Sequence, residues 1–225
     1  MQRPTVAGRG FTLMELLVVV ALIALLVTVM VPVMLSFMKG RGLGMIGNNF
    51  AGFVAFARTE AMNTRQTHVI VTYFEEESLN LGGEFDRKAG PGVVLWRLNP
   101  NPTPGSDDLR INYVKQLDFE GGIGGSVDFA KSWKSRAPLG PSLSISDEAN
   151  QKFVGKYKLV LLPDGRVEVP EDKPGYVLDT GQTKGIRTDM VLTDGTYIVF
   201  VDINPATGAM KRSPRVDYED TDEEP

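Results

Sequence analysis

The sequence predicts an α+β chain in which one long N-terminal membrane-spanning helix packs its second half on an antiparallel β-sheet domain. Three observations predict it. An apolar run reaches from Phe11 to Met38. An amphipathic stripe follows, with Phe50, Phe53, Val54, Ala57 and Ala61 three and four residues apart. Beyond Thr67, β-rich stretches alternate with turn signals.

The apolar run holds 28 residues. As a helix it would reach about 42 Å at ~1.5 Å per residue, more than the ~30 Å hydrocarbon core requires. Two residues set it apart from a generic signal anchor. Glu15 places a carboxylate near its start, where an unpaired charge is costly. Pro32 lies well inside it and is expected to kink the helix. A cleaved signal peptide fits poorly, because the apolar core is too long and no A-x-A-like site follows before Lys39.

Gly10-Phe11-Thr12-Leu13-Met14-Glu15, followed by a Leu/Val/Ala helix, resembles the cleavage and methylation motif of type IV prepilins and type II secretion pseudopilins. Pro32 matches the kink proline of such helices. The resemblance implies a pilin-like fold and a cut between Gly10 and Phe11 by a prepilin peptidase. It also implies N-methylation of Phe11 by the same peptidase/methyltransferase, and a role for Glu15 in assembly. Arg3 and Arg9 before the run favour a cytoplasmic N-terminus, while Lys39 and Arg41 after it pull the other way. The resemblance decides for a single-pass inner-membrane protein with its N-terminus cytoplasmic and its C-terminal domain periplasmic.

Residues 1–10 read as a short basic leader, 11–38 as the membrane helix, and 39–66 as a linker and the amphipathic second half of the helix. Lys39 to Gly47 holds four glycines. Each interior glycine costs a helix about 1 kcal/mol relative to alanine, so a soft helical segment is expected here. Asn48 or Asn49 is a candidate cap for the firmer part. Residues 67–216 form the β-rich domain, and 217–225 an acidic tail with six carboxylates, expected to be disordered.

Within the domain, strands are expected at Thr67–Phe74, Val93–Leu98, Leu109–Phe119, Phe153–Leu162, Tyr176–Leu178, Met190–Leu192 and Thr196–Ile203. Val167 and Val169 begin a further, returning strand. Pro163-Asp164-Gly165-Arg166 and Asn204-Pro205-Ala206-Thr207-Gly208 are tight turns, with proline fixing φ and glycine taking positive φ. Asn99-Pro100-Asn101-Pro102-Thr103-Pro104 must be a loop, because alternate prolines remove ladder donors. The passage from Ala57-Arg58-Thr59-Glu60-Ala61 into the first strand resembles the GspH/FimT branch of pseudopilins. So do the Pro-Asp-Gly-Arg turn and the Thr-Gly turn with its basic return strand. Residues at about 76–150 match nothing in that pattern and are expected to be an insertion.

The chain has 225 residues, net charge −4 and no cysteine. Disulfides, cysteine-based metal sites and thiol nucleophiles are therefore excluded. Residues 1–47 hold four cations against Glu15, a net +3, which leaves −7 on residues 48–225. Such a domain does not favour a polyanion partner. The sole histidine, His68, sits in an expected strand, where a structural role is expected. No G-x-S-x-G elbow, metal-ligand spacing or calcium-loop pattern is present. The glycine-rich stretch Gly121–Gly125 lacks the ending of a phosphate loop. No catalytic residue, metal or cofactor is expected.

The resulting expectation is a minor pseudopilin: a structural subunit of a type II secretion or related pilus-like filament. Its implied partners are other pseudopilins, the prepilin peptidase/methyltransferase and inner-membrane lipid. A different class of function is a FimT-like minor pilin that binds extracellular DNA for natural transformation. Lys211, Arg212 and Arg215 would then contact the nucleic acid. An enzyme domain on a membrane anchor is disfavoured by the missing site residues.

Overall fold

The computed structural model describes residues 12–38, 41–79, 87–101, 111–119, 127–130, 153, 156–170, 175–176, 186–214 and 216–217. They fall into two compact units, 1–38 and 39–225.

The first unit is helix α1, Leu13–Met38, with Pro32 in its interior. Proline has no N–H for the Thr28 carbonyl one turn back. The Thr28 hydroxyl itself donates to the Ala24 carbonyl at 2.7 Å. Every residue from Thr12 to Met34 is exposed. Among the described residues, this helix alone is long and apolar enough to cross a membrane.

The second unit opens with α2, Arg41–Thr64. Asn48 and Asn49 are exposed in its interior rather than capping it, and Gly42, Gly44 and Gly47 are helical. Buried Leu43 and Ile46 extend the apolar stripe backwards, so 43, 46, 50, 53, 57 and 61 share one face. Burial of two large side chains, at about 1.5–3 kcal/mol each, outweighs the glycine cost. The helix stops at Arg65, whose φ of 54° takes the left-handed position that ends many helices.

Among the described residues, fourteen strands follow. The first sheet has the order β5 (Ile111–Asp118), β4 (Gly92–Leu98), β1 (His68–Tyr73), β7 (Lys158–Leu161), β8 (Val167–Glu168), all antiparallel. The second has the order β13 (Met210–Arg212), β12 (Tyr197–Ile203), β11 (Met190–Thr193), β6 (Asp128–Phe129), with β14 (Val216–Asp217) also on β12. Two small ribbons complete the set, β2 (Glu77–Leu79) with β3 (Arg87–Ala89), and β9 (Gly175–Tyr176) with β10 (Ile186–Arg187). Strands β4 and β5 lie inside the 76–150 segment, yet β4 pairs β1 along its whole length. They are integral to the first sheet.

The first sheet is covered on both faces. One face packs Ile70, Leu95, Leu159 and Leu161 against α2 and the second sheet. The other packs Val69, Val71, Val94, Trp96 and Val160 under Phe153, Leu79 and Ala89. Burial on both faces explains why β1 is buried at every position rather than at alternate ones.

His68 is fully buried at the junction of α2 and β1. Its Nδ1–H donates to the Gln66 carbonyl at 3.0 Å, and Nε2 has no partner among the described residues. Burial lowers its pKa from the ordinary 6.5; the Gln66 carbonyl and Glu60 oppose the shift, and Arg97 adds to it. The unfolded chain then binds the proton more readily than the folded one. Stability from this group is complete above pH 6.5 and is lost as pH falls through the lowered folded value. The urea midpoint of the wild type should therefore fall between pH 7.5 and 5 by more than that of His68→Val. Equal pH dependence in both would contradict the assignment.

Candidate functional site

Glu15 stands at the start of α1. Its Oε2 accepts from the Thr12 amide at 2.9 Å and from the Thr12 hydroxyl at 3.0 Å. The Thr12 Oγ1 accepts in return from the Glu15 amide at 3.2 Å. This reciprocal pattern is a capping box, which satisfies free N–H groups of the first turn and places a negative charge at the positive end of the helix dipole. The carboxylate thus has hydrogen-bond partners within its own helix. The signal was present as Thr12-x-x-Glu15. Gly10 and Phe11 lie outside the described residues.

A second surface is the outer face of α2. The exposed residues between Arg41 and Arg65 carry no charge. Met45, Asn48, Gly52, Ala55, Thr59 and Met62 follow alternating spacings of three and four, with Phe56 beside them. Such spacing gives one continuous seam along a helix. Met45, Phe56 and Met62 are each more than a third exposed. Isolated surface helices normally place charges there. A cation from β5 approaches it: Lys115 Nζ stands 4.6 Å from the Phe56 ring centre.

Three motifs far apart in sequence meet at Arg58. Its Nε donates to the Gly165 carbonyl at 2.6 Å. Gly165 (φ 85°) and Gly208 (φ 66°) both adopt left-handed backbone. A Cβ on Gly165 would lie 3.2 Å from Arg58 Nε, and one on Gly208 3.3 Å from Arg58 Cδ. Both turns thus close on the arginine because neither carries a side chain. A Val167 N–H bond to the Pro205 carbonyl at 2.8 Å joins the two turns directly. Asp164 stiffens the first turn by accepting from the Arg166 amide at 3.0 Å, which together with the Arg166 side chain holds its carboxyl below the usual range. Sequence reasoning found each motif separately and had no signal for their convergence.

The candidate nucleic-acid residues are placed as follows. Lys211 stands directly across from Asp202 in the β12–β13 pair. Arg212 turns towards α2, where its Nη1 donates to the Gly44 carbonyl at 2.9 Å. Arg215 lies outside the described residues. Among the described residues, no group of three or more His, Asp or Glu side chains is placed to hold a metal ion. The chain matches no protein-family model, no curated protein and no solved structure.

Proposed function

We propose that the chain is a minor pseudopilin, a structural subunit of a type II secretion or related type IV pilus-like filament, cut between Gly10 and Phe11 by prepilin peptidase. The observation that carries the reading is α1: an apolar helix exposed from Leu13 to Met34, with a single carboxylate folded over its N-terminal turn. Lipid satisfies such a surface before assembly, and neighbouring helices satisfy it afterwards. The uncharged seam of α2 offers a second surface for helix packing. On this reading the helix is inserted in the inner membrane with its N-terminus cytoplasmic, and the domain stands in the periplasm.

DNA binding is the weaker reading. Lys211 faces an acid across the ladder and Arg212 is already engaged with a helix carbonyl. Residues 48–225 carry net −7, the whole-chain −4 less the +3 of residues 1–47. Affinity for duplex DNA depends on neutralising phosphates. Only weak, salt-sensitive binding is therefore expected in a gel shift.

The chain has no cysteine, so a single introduced one reports unambiguously. With Leu26→Cys in the membrane helix, oxidation in cells should produce disulfide cross-links to cysteine-bearing variants of other pseudopilins. A protein that remains monomeric with every such partner, yet binds DNA tightly through Lys211 and Arg212, would reverse the order of the two readings.

A further inference from the structure

The first turns of α2 combine two opposed features. Gly42, Gly44 and Gly47 make this the weakest helical stretch of the domain by intrinsic preference, at about 1 kcal/mol for each glycine. Yet a side chain from the far end of the sequence lies along it. Arg212 donates through Nη1 to the Gly44 carbonyl at 2.9 Å. A Cβ on Gly47 would stand 2.9 Å from both Cδ and Nη1 of Arg212. The guanidinium and its stem therefore occupy the space that the missing Gly47 side chain leaves.

The backbone that carries Arg212 is itself fixed. Arg212 pairs with Val201 in the ladder. Next to it, the Ser213 amide donates to the Phe200 carbonyl and the Phe200 amide donates to Ser213 Oγ, both at 3.0 Å. Phe200 and Val201 are core residues. The arginine thus reaches the helix from a rigid strand, so only its side-chain rotamers remain to be ordered.

We infer that Arg212 is a strap that firms the glycine-rich start of α2, and that its release raises the opening of residues 41–47. The seven residues span about 10 Å as helix and up to about 23 Å extended. The strap therefore governs how firmly the first turns of α2 are held to the domain. The inference does not depend on the pseudopilin reading. It gives Arg212 a role within its own chain.

Hydrogen exchange of the full chain in detergent, followed by mass spectrometry, tests it. Arg212→Ala should lower the protection of the amides from Ile46 to Phe50 about tenfold, since a charge-assisted bond to the helix is lost. Gly47→Ala supplies the sharper arm. By helix preference alone it should raise protection wherever it is made. With the strap present, the new methyl displaces the guanidinium, so protection should stay level or fall. In the Arg212→Ala background the same change should raise protection. Unchanged exchange in Arg212→Ala would overturn the strap, as would an equal gain from Gly47→Ala in both backgrounds.

Discussion

Phe50→Ala is expected to destabilise the domain by about 3–5 kcal/mol, a large part of the ~5–15 kcal/mol that holds a typical domain folded. Phe50 is fully buried in the middle of the α2 stripe. Its ring meets Phe119 edge-on at 6.4 Å, and Phe119 in turn stands 5.0 Å from Phe129. The ring thus ties the helix to a cluster from the end of β5 and from β6. Truncation removes the transfer energy of the ring and leaves a cavity that a sheet covered on both faces cannot collapse to fill. Phe50→Leu should cost far less, because most of the volume remains. Chemical unfolding of the two variants in detergent provides the comparison. A cost near zero for alanine would show that α2 is not held by this face.

How much of this was legible beforehand depends on the kind of signal each element carried. The long apolar helix was evident from length and polarity alone. The buried face of α2 was evident from Phe50 to Ala61, but its start was not. Glycines argue locally against helix, whereas Leu43 and Ile46 are buried by contacts that no local pattern reveals. Strands β1, β4, β11 and β12 followed from dense β-branched and apolar runs. The short pairing β2–β3 and the two-residue β6, β10 and β14 are made by tertiary contact and left no periodicity to find, while β9 shares only Tyr176 with the strand expected at Tyr176–Leu178. Arg58 and Arg212 illustrate the same limit. Each is an ordinary surface arginine in sequence, and each rests on the backbone of a glycine more than a hundred residues away.

Glu15→Val is expected to leave membrane insertion and leader cleavage intact while reducing incorporation into the assembly by at least about tenfold, the equivalent of ~1.4 kcal/mol per contact. A lone carboxylate costs on the order of 2.5–3.5 kcal/mol at the middle of a bilayer, and less near its edge. Valine would therefore anchor the helix better. The capping box recovers part of that cost, since such caps are worth ~1 kcal/mol. Removal of the leader would free the amine of Phe11, next to the Thr12 groups that the carboxylate already touches. On the pseudopilin reading, Glu15 would pair with such an amine, that of a neighbouring subunit being the more natural partner.

Glu15→Gln separates the cap from the charge. Glutamine keeps the acceptor of a capping box but cannot neutralise an amine. If assembly depends on the charge, Gln behaves like Val when cross-linking to partner subunits is compared at equal membrane levels. Wild-type assembly by Gln alone would assign the residue to the cap. Normal assembly by both variants would show that Glu15 has no part in it.

The processing of the N-terminus is the most direct test of the pseudopilin account. Mass spectrometry of the protein purified from membranes that contain prepilin peptidase should find a chain beginning at Phe11 with a methylated amino group. A chain that keeps residues 1–10, or one cut beyond Met38 so that the apolar helix is lost, would contradict it.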